Sequence, residues 1–188
     1  MPKAKPSSRK APSGATASGP VRTPIHLASD AHEAAITEFE QALICSAEAF
    51  YRFAGLLLGV QAHEHNLTGA DNVILQQLMT AGRPLRITDL RRFANRDDIS
   101  NIQYSLRKLI KADLVEKVAG STNRDTAYSV TEKGRDITEH LVKLRRELLT
   151  EPTANVQDID EQLRALTRML GLLTGVYDHG SRTLTGRR

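Results

Sequence analysis

Chemistry-bearing residue types are scarce in this chain. Its 188 residues include one cysteine, Cys45, no Trp, four Phe and four Tyr. A single cysteine excludes an intramolecular disulfide framework and a cysteine-rich zinc module, and it fits a reducing compartment. With so few aromatics the core must come from Leu, Ile, Val and Ala, which suits packed helices better than a β-sandwich. The longest uninterrupted apolar run, Phe53 to Val60, is far short of the roughly 20 residues of a membrane span. The basic N-terminal stretch leads into no apolar segment, so no cleavable signal peptide is expected and the location expected is cytoplasmic. There is no nucleotide-binding glycine loop, nucleophile elbow or paired-carboxylate motif, which argues against an enzyme. His63 and His65 stand two apart and would point to different faces of a helix, while His26, His32, His140 and His179 are scattered. Neither a metal nor a cofactor is therefore expected.

Positive charge is also scarcer than the total suggests. The formal net charge is +4, but Lys3, Lys5, Arg9, Lys10 and Arg22 lie in the first 24 residues, where there is no acid; the remaining 21 basic and 22 acidic residues nearly cancel. A high pI is then no argument for nucleic acid, and a basic surface has to be found locally. Residues 1–24, almost all Pro, Ser, Ala, Gly, Thr, Lys and Arg, cannot bury enough apolar surface to offset the entropy of ordering them. They read as a disordered basic tail, either a solubilising extension or a nonspecific phosphate contact.

What is present is helical periodicity. From Asp30 to about His65, Ile36, Phe39, Leu43, Ala47, Phe50, Ala54 and Leu57 recur every three or four residues, which predicts a long helix with one apolar stripe. "LTGAD" follows with Thr68 as N-cap and Asp71 three residues on, and Gly82 and Pro84 end that helix. Leu85 to Ile87 allow a very short strand. Thr88 is then placed to cap a helix to about Asn95 that turns Leu90, Phe93 and Ala94 inward. In "DDISNIQYSLRKLIKADLV", Asp97 or Asp98 caps a second helix, with Ile99, Ile102, Leu106, Leu109 and Ile110 on its core side. Two stretches rich in Val, Thr and Tyr, separated by Gly120 to Asp125, form a β-hairpin signature. Thr131 caps a further helix that Pro152 is expected to stop. Val156, Ile159, Leu163, Leu166, Leu170, Leu173 and Tyr177 then alternate intervals of three and four, a seam that needs a partner helix. The final "DHGSRTLTGRR" reads as a frayed basic tail.

Helix, small strand, helix, turn, helix and hairpin form the order of a winged helix-turn-helix. From about Asp30 to Tyr177 the chain resembles the MarR family of bacterial transcriptional regulators, most closely in "LRKLIKADLVEKV" and "YSVTEKG". "ADLV" stands where that family usually has "GLV", and Val130 to Gly134 stand where "LTxxG" is usual. At the wing tip, where Asp-x-Arg is common, this chain has Thr122, Asn123 and Arg124, so the arginine matches and the acid does not. The resemblance implies a mainly α fold: a winged helix-turn-helix with a small β-hairpin wing at 67–134, an N-terminal dimerisation helix at 25–66 and C-terminal dimerisation helices at 135–178. Residues 179–188 would be the frayed tail.

The residues make the functional case beside the resemblance. With Ile99, Ile102, Leu106 and Leu109 inward, the helix presents Ser100, Asn101, Gln103, Tyr104, Arg107, Lys108 and Lys111. Asn and Gln can pair with adenine, Arg with guanine and Ser with either base edge, which makes Ser100, Asn101, Gln103, Tyr104 and Arg107 candidate base readers. Lys108 and Lys111 suit phosphates, as do Arg86, Arg91, Arg92 and Arg96 on or beside the preceding helix. Asn123 and Arg124 form the candidate wing contact. A solvated helix face is the competing reading, but such faces are usually rich in Glu, and no carboxylate lies between Ile99 and Ala112. From Arg83 to Tyr128 there are ten basic and six acidic residues, which is the local excess that the total conceals.

Two reading heads related by a twofold axis would span half-sites about 34–36 Å apart. The helices outside the winged unit supply the candidate dimer interface: Ile36, Phe39, Leu43, Phe50, Val156, Ile159, Leu163, Leu166, Leu170 and Leu173. An intrachain helical hairpin is the alternative. The resemblance further implies a small-molecule effector held between the dimerisation helices and the winged domain. It also makes Cys45 a candidate redox residue, although nothing near it, Tyr51 and Arg52 included, forms a motif that would lower its pKa. The reading expected is a homodimeric, sequence-specific regulator that binds double-stranded DNA at an inverted repeat. The alternative is a winged-helix protein-interaction or scaffold module.

Overall fold

The computed structural model describes residues 28–95, 98–118 and 126–187. They fall into two compact units, divided after Ile44. In the first, helix α1 (Ala31–Ala62) begins. Its N-terminus is capped by Asp30, whose carboxylate accepts the amides of His32 and Glu33 at 2.8 Å. Glu33 reaches back to the amide and hydroxyl of Ser29, and those bonds hold its carboxyl below the usual range. Four orphan donors open every helix, and here Asp30 supplies the acceptor for two of them.

The second unit holds the rest of α1, a 3₁₀ turn (His63–His65), α2 (Gly69–Ala81), β1 (Leu85–Arg86), α3 (Ile87–Phe93), α4 (Ile99–Lys111), β2 (Val115–Val118), β3 (Ala127–Val130) and α5 (Glu132–Arg145). After a π-helical turn (Arg146–Thr150) come α6 (Glu151–Thr153) and α7 (Ile159–Thr185). The three strands are antiparallel in the order β1-β3-β2, with Leu85 opposite Tyr128 and Val115 opposite Val130. Leu58, Ile74, Leu75, Leu85, Leu90, Ile102, Leu106, Leu109, Leu114 and Val115 are fully buried in one cluster. Period-3.6 helices and a short sheet thus share a single apolar interior.

Close approach of backbones sets how α1 and α2 pack. A Cβ on Gly69 would lie 2.0 Å from the Tyr51 carbonyl oxygen, and one on Gly55 would lie 2.9 Å from the Gly69 nitrogen. The fully buried Asn72 donates its amide to the Ala54 carbonyl at 2.6 Å. By length and composition α1 with its 3₁₀ turn could cross a membrane, with a mean hydropathy of 1.5 over its most apolar window. No uninterrupted run in the sequence signals this. Its Ala54, Leu57, Leu58 and Ala62 are instead packed into the core.

Several local expectations change. Strand β1 ends at Arg86, and α3 begins at Ile87 with Arg86, not Thr88, at the N-cap; the Asp89 carboxylate accepts the Arg86 amide at 3.1 Å. Phe93 is 60% exposed and Ile99 39% exposed, so neither is core. The helical path from α5 does end beside Pro152, at Thr153, although it passes through a π turn first, and the Thr153 hydroxyl donates to the carbonyls of Leu149 and Thr150. Helix α7 runs on to Thr185, through the segment expected to fray.

The end of α4 explains a sequence departure. Asp113 has φ of 59°, its amide bonds the Ile110 carbonyl and the Leu114 amide bonds the Leu109 carbonyl, both at 2.9 Å. This is a Schellman cap, whose left-handed residue is most often Gly because a Cβ is disfavoured there. Asp113 occupies that position. Replacing Asp113 by Gly should raise stability by about 0.5–1 kcal/mol, and Asp113→Val should lower it by more, both read from urea midpoints; equal midpoints for the three proteins would refute the assignment.

Candidate nucleic-acid interface

Helix α4 is fixed at both ends and along one side. Asp98 is its N-cap, with Oδ1 accepting the amides of Ser100 at 2.8 Å and Asn101 at 3.3 Å. Ile102, Leu106 and Leu109 bury its inner face. At its C-terminus the beginning of α5 covers the terminal carbonyls. The Thr131 amide bonds the Leu114 oxygen at 3.1 Å, the Thr131 hydroxyl bonds the Asp113 oxygen at 2.8 Å, and Lys133 Nζ bonds the Ala112 oxygen at 3.0 Å. The C-cap carbonyl and the two that follow it are thus all bonded by one short segment, and the Lys133 ammonium sits at the negative end of the helix dipole.

The outer face carries what the sequence placed there. Ser100, Asn101, Gln103, Tyr104, Arg107 and Lys111 are exposed on α4. The Arg107 guanidinium lies 5.8 Å from the centre of the Tyr104 ring, a cation–π distance that steadies an otherwise mobile arginine. Asn101 donates its amide to Asp98 Oδ2 at 2.6 Å, so reading adenine with both amide atoms requires it to leave that partner. Arg86, Arg91 and Arg92 are exposed on and beside α3. Arg96, Asn123 and Arg124 lie outside the described residues, as does Asp97.

Lys108 differs from the rest. Its Nζ sits 2.6 Å from Asp71 Oδ2, the carboxylate being 1% exposed and the lysine side chain 17% exposed. The same oxygen accepts the Thr68 amide at 2.7 Å and the Thr68 hydroxyl at 2.9 Å. Ser105, itself buried, hydrogen-bonds this carboxylate too. Burial on its own would raise the Asp71 pKa, but the bonds from Lys108, Ser105 and Thr68 together outweigh it and hold the carboxyl below its ordinary range. The phosphate role expected for Lys108 therefore meets a competing partner inside the protein. Sequence spacing identified Asp71 only as a helix-capping residue; Ser105 carried no signal, and a partner 37 residues away leaves none.

Residues 67–134 match the family described as the winged helix DNA-binding domain. Their order of helices and strands is that of the winged helix fold. No curated protein matches the chain by sequence. Among solved structures it is similar to the transcriptional regulator BldR from Sulfolobus solfataricus, with a TM-score of 0.60, 20% identity, and 76% of this chain and 98% of that one covered. Staphylococcus aureus MarR in complex with salicylate and kanamycin gives 0.60 and 16% identity, covering 78% and 94%. A mutant of Escherichia coli MarR complexed with operator DNA gives 0.55 and 19% identity, covering 76% and 99%. The chain shares the fold of these structures over about three quarters of its length. Within the winged helix domain, α3 and α4 are the helix-turn-helix and β2–β3 the strands of the wing.

Asp71 also makes an acid-sensitive contribution to the winged helix domain. Its folded pKa lies below the unfolded value, so its stabilisation is complete above the ordinary carboxyl pKa of 3.8 and is lost as pH falls through the lowered one. Asp71→Asn should cost about 2 kcal/mol near neutrality, a deficit that shrinks as the pH falls below 3.8 and the wild-type carboxyl protonates. Urea midpoints of both proteins across that range check it, and a deficit independent of pH would contradict the ionised pair.

Proposed function

We propose that the protein is a homodimeric transcriptional regulator that reads an inverted repeat in double-stranded DNA through α4. The observation that carries this reading is the outer face of that helix. It offers Ser100, Asn101, Gln103, Tyr104 and Arg107 in exposed positions, with no carboxylate from Ile99 to Ala112. Hydrogen-bonding side chains on a capped, rigidly backed helix suit base edges in the major groove. Arg86, Arg91, Arg92 and Lys111 supply backbone contacts, and the sequence offers Arg96, Asn123 and Arg124 as further ones. The winged helix match and the operator complex of a similarly folded MarR support the same reading. A DNA-bound regulator acts in the cytoplasm, the location proposed here.

The dimer rests on apolar surface that one copy leaves uncovered. No residue of α7 is buried; Leu163 and Leu166 are about half exposed, as are Val156 and Phe50, while Ile159, Leu170 and Leu173 are half-buried. Ile36 on α1 is 41% exposed, and Phe39 and Leu43 are half-buried. Apolar rows of this kind mark association surfaces. For an effector, a cleft of about 360 Å³ among α1, α2 and α5 is lined by Phe50, Phe53, Leu57, Met79, Leu141 and Leu149, which fits a small, largely apolar molecule. Cys45 is exposed, and no redox role is assigned to it.

Selection of bound sequences from random DNA tests the reading helix. The expected product is an inverted repeat with half-sites about one helical turn apart; no enrichment would favour the scaffold alternative. On the selected site, Arg107→Ala or Gln103→Ala should relax preference at one position by about 1–3 kcal/mol, and unchanged preference in both would show that the wrong face had been chosen. Sedimentation equilibrium tests the interface. Wild type should run as a dimer and the Leu163→Glu, Leu166→Glu double variant as a folded monomer with unchanged helical content, whereas a monomeric wild type would remove the dimer.

A further inference from the structure

We propose that Asp71 is a positioning residue for DNA reading, an internal substitute for a DNA phosphate that holds the Lys108 charge out of the interface. The proposal rests on the DNA-reading function above. Lys108 stands among the exposed readers, one turn beyond Tyr104 and next to Arg107, and its Nζ passes 5.6 Å from the centre of the Tyr104 ring. Its ammonium nevertheless turns toward the protein, onto Asp71 Oδ2 at 2.6 Å, the short contact of a charge-assisted bond.

Asp71 is not a surface acid that could swing away. It lies in the first turn of α2, where the helix dipole favours an anion, and two bonds from Thr68 fix the same oxygen. Its carboxylate is buried. A phosphate that drew Lys108 outward would strip a buried carboxylate of its cation, and that cost exceeds what an exposed, salt-screened phosphate contact returns. The winged helix domain thereby offers DNA a reading helix with one mobile, sequence-blind charge fewer. Because Ser105 and Lys108 both bond Asp71 and lie three residues apart on α4, the pair also locks the rotation of that helix against α2, and so decides which side chains face outward.

The test compares wild type, Asp71→Asn and the Asp71→Asn, Lys108→Met double variant for binding to the selected site and to random-sequence DNA, by fluorescence anisotropy across about 50–200 mM salt. Freed from Asp71, Lys108 should reach a phosphate. In Asp71→Asn the slope of log K against log salt should steepen by about 0.9, roughly a three- to fourfold greater loss over that range, and low-salt affinity for random DNA should rise. The double variant should return to the wild-type slope. A purely structural role for Asp71 would weaken binding without changing the slope, and that result overturns the proposal. So does a double variant flatter than wild type by about 0.9, since Lys108 would then already contact phosphate. If circular dichroism shows Asp71→Asn unfolded, wild type against the double variant decides alone. A wild type that shows no salt-dependent DNA binding overturns the DNA-reading function itself, and with it this proposal; salt-dependent binding with either contrary slope overturns the proposal only.

Discussion

The turn at Ala112, Asp113 and Leu114 is the constraint on which the winged helix domain depends. Three consecutive carbonyls there accept bonds from Lys133, the Thr131 hydroxyl and the Thr131 amide. Leu114 is fully buried, β2 starts at the next residue, and a Cβ on Gly134 would lie 2.2 Å from the Leu114 oxygen. The end of α4, the base of the β2–β3 hairpin and the start of α5 therefore meet at one point where no side chain fits between them. "ADLV" and "VTEKG", which stand where the family that the sequence resembles has "GLV" and "LTxxG", are the two halves of this contact. Their pairing gives a physical reason for a glycine at the second, and a left-handed φ gives one for the glycine usual where Asp113 stands.

From that point the domain is tied together in two materials. Leucine and isoleucine fill the interior, and a chain of buried polar groups runs beside it. Asn72 bonds the backbone of α1, while Asp71, one residue earlier on α2, bonds Ser105 and Lys108 on α4. Apolar packing tolerates sliding of one helix along another far better than a directional bond does. The polar chain thus fixes α4 relative to α2 and α2 relative to the C-terminal half of α1, which is the path any displacement of α4 must take.

Local spacing made much of this legible. Thr68, Asp98 and Thr131 are where capping rules put them, because a cap and its first turn are decided within four residues. Gly82 closes α2 with φ of 63° for the same reason. Periodicity was less faithful at the edges. It assigned Phe93 and Ile99 to the core because it counts apolar residues without knowing whether anything stands opposite them. The C-terminal segment looked like a tail from its Gly, Ser and Thr content, yet Thr183 and Thr185 donate their hydroxyls back to carbonyls one turn earlier, and Asn95 in the turn after α3 reaches Asp178 at 3.3 Å. The Asp71–Lys108 pair was out of reach altogether. Each residue satisfied a local rule, one as a cap and the other as a surface cation, and only the fold brings them together.

The apolar surface of α7 bears on how many helices it must meet. Leu163 and Leu166 are exposed on the heptad seam, but so are Met169, Leu172 and Val176 on the adjoining stripe. A single antiparallel partner covers one narrow seam, whereas an apolar arc of more than about 100° is the mark of a helix surrounded on more than one side. An intrachain hairpin with α5 could satisfy only one of the two stripes. The second copy of the chain proposed above would supply more than one covering helix. In that proposed dimer the same packing would tie the separation of the two α4 helices to the seating of α7, so contacts far from DNA would set which half-site spacing is accepted.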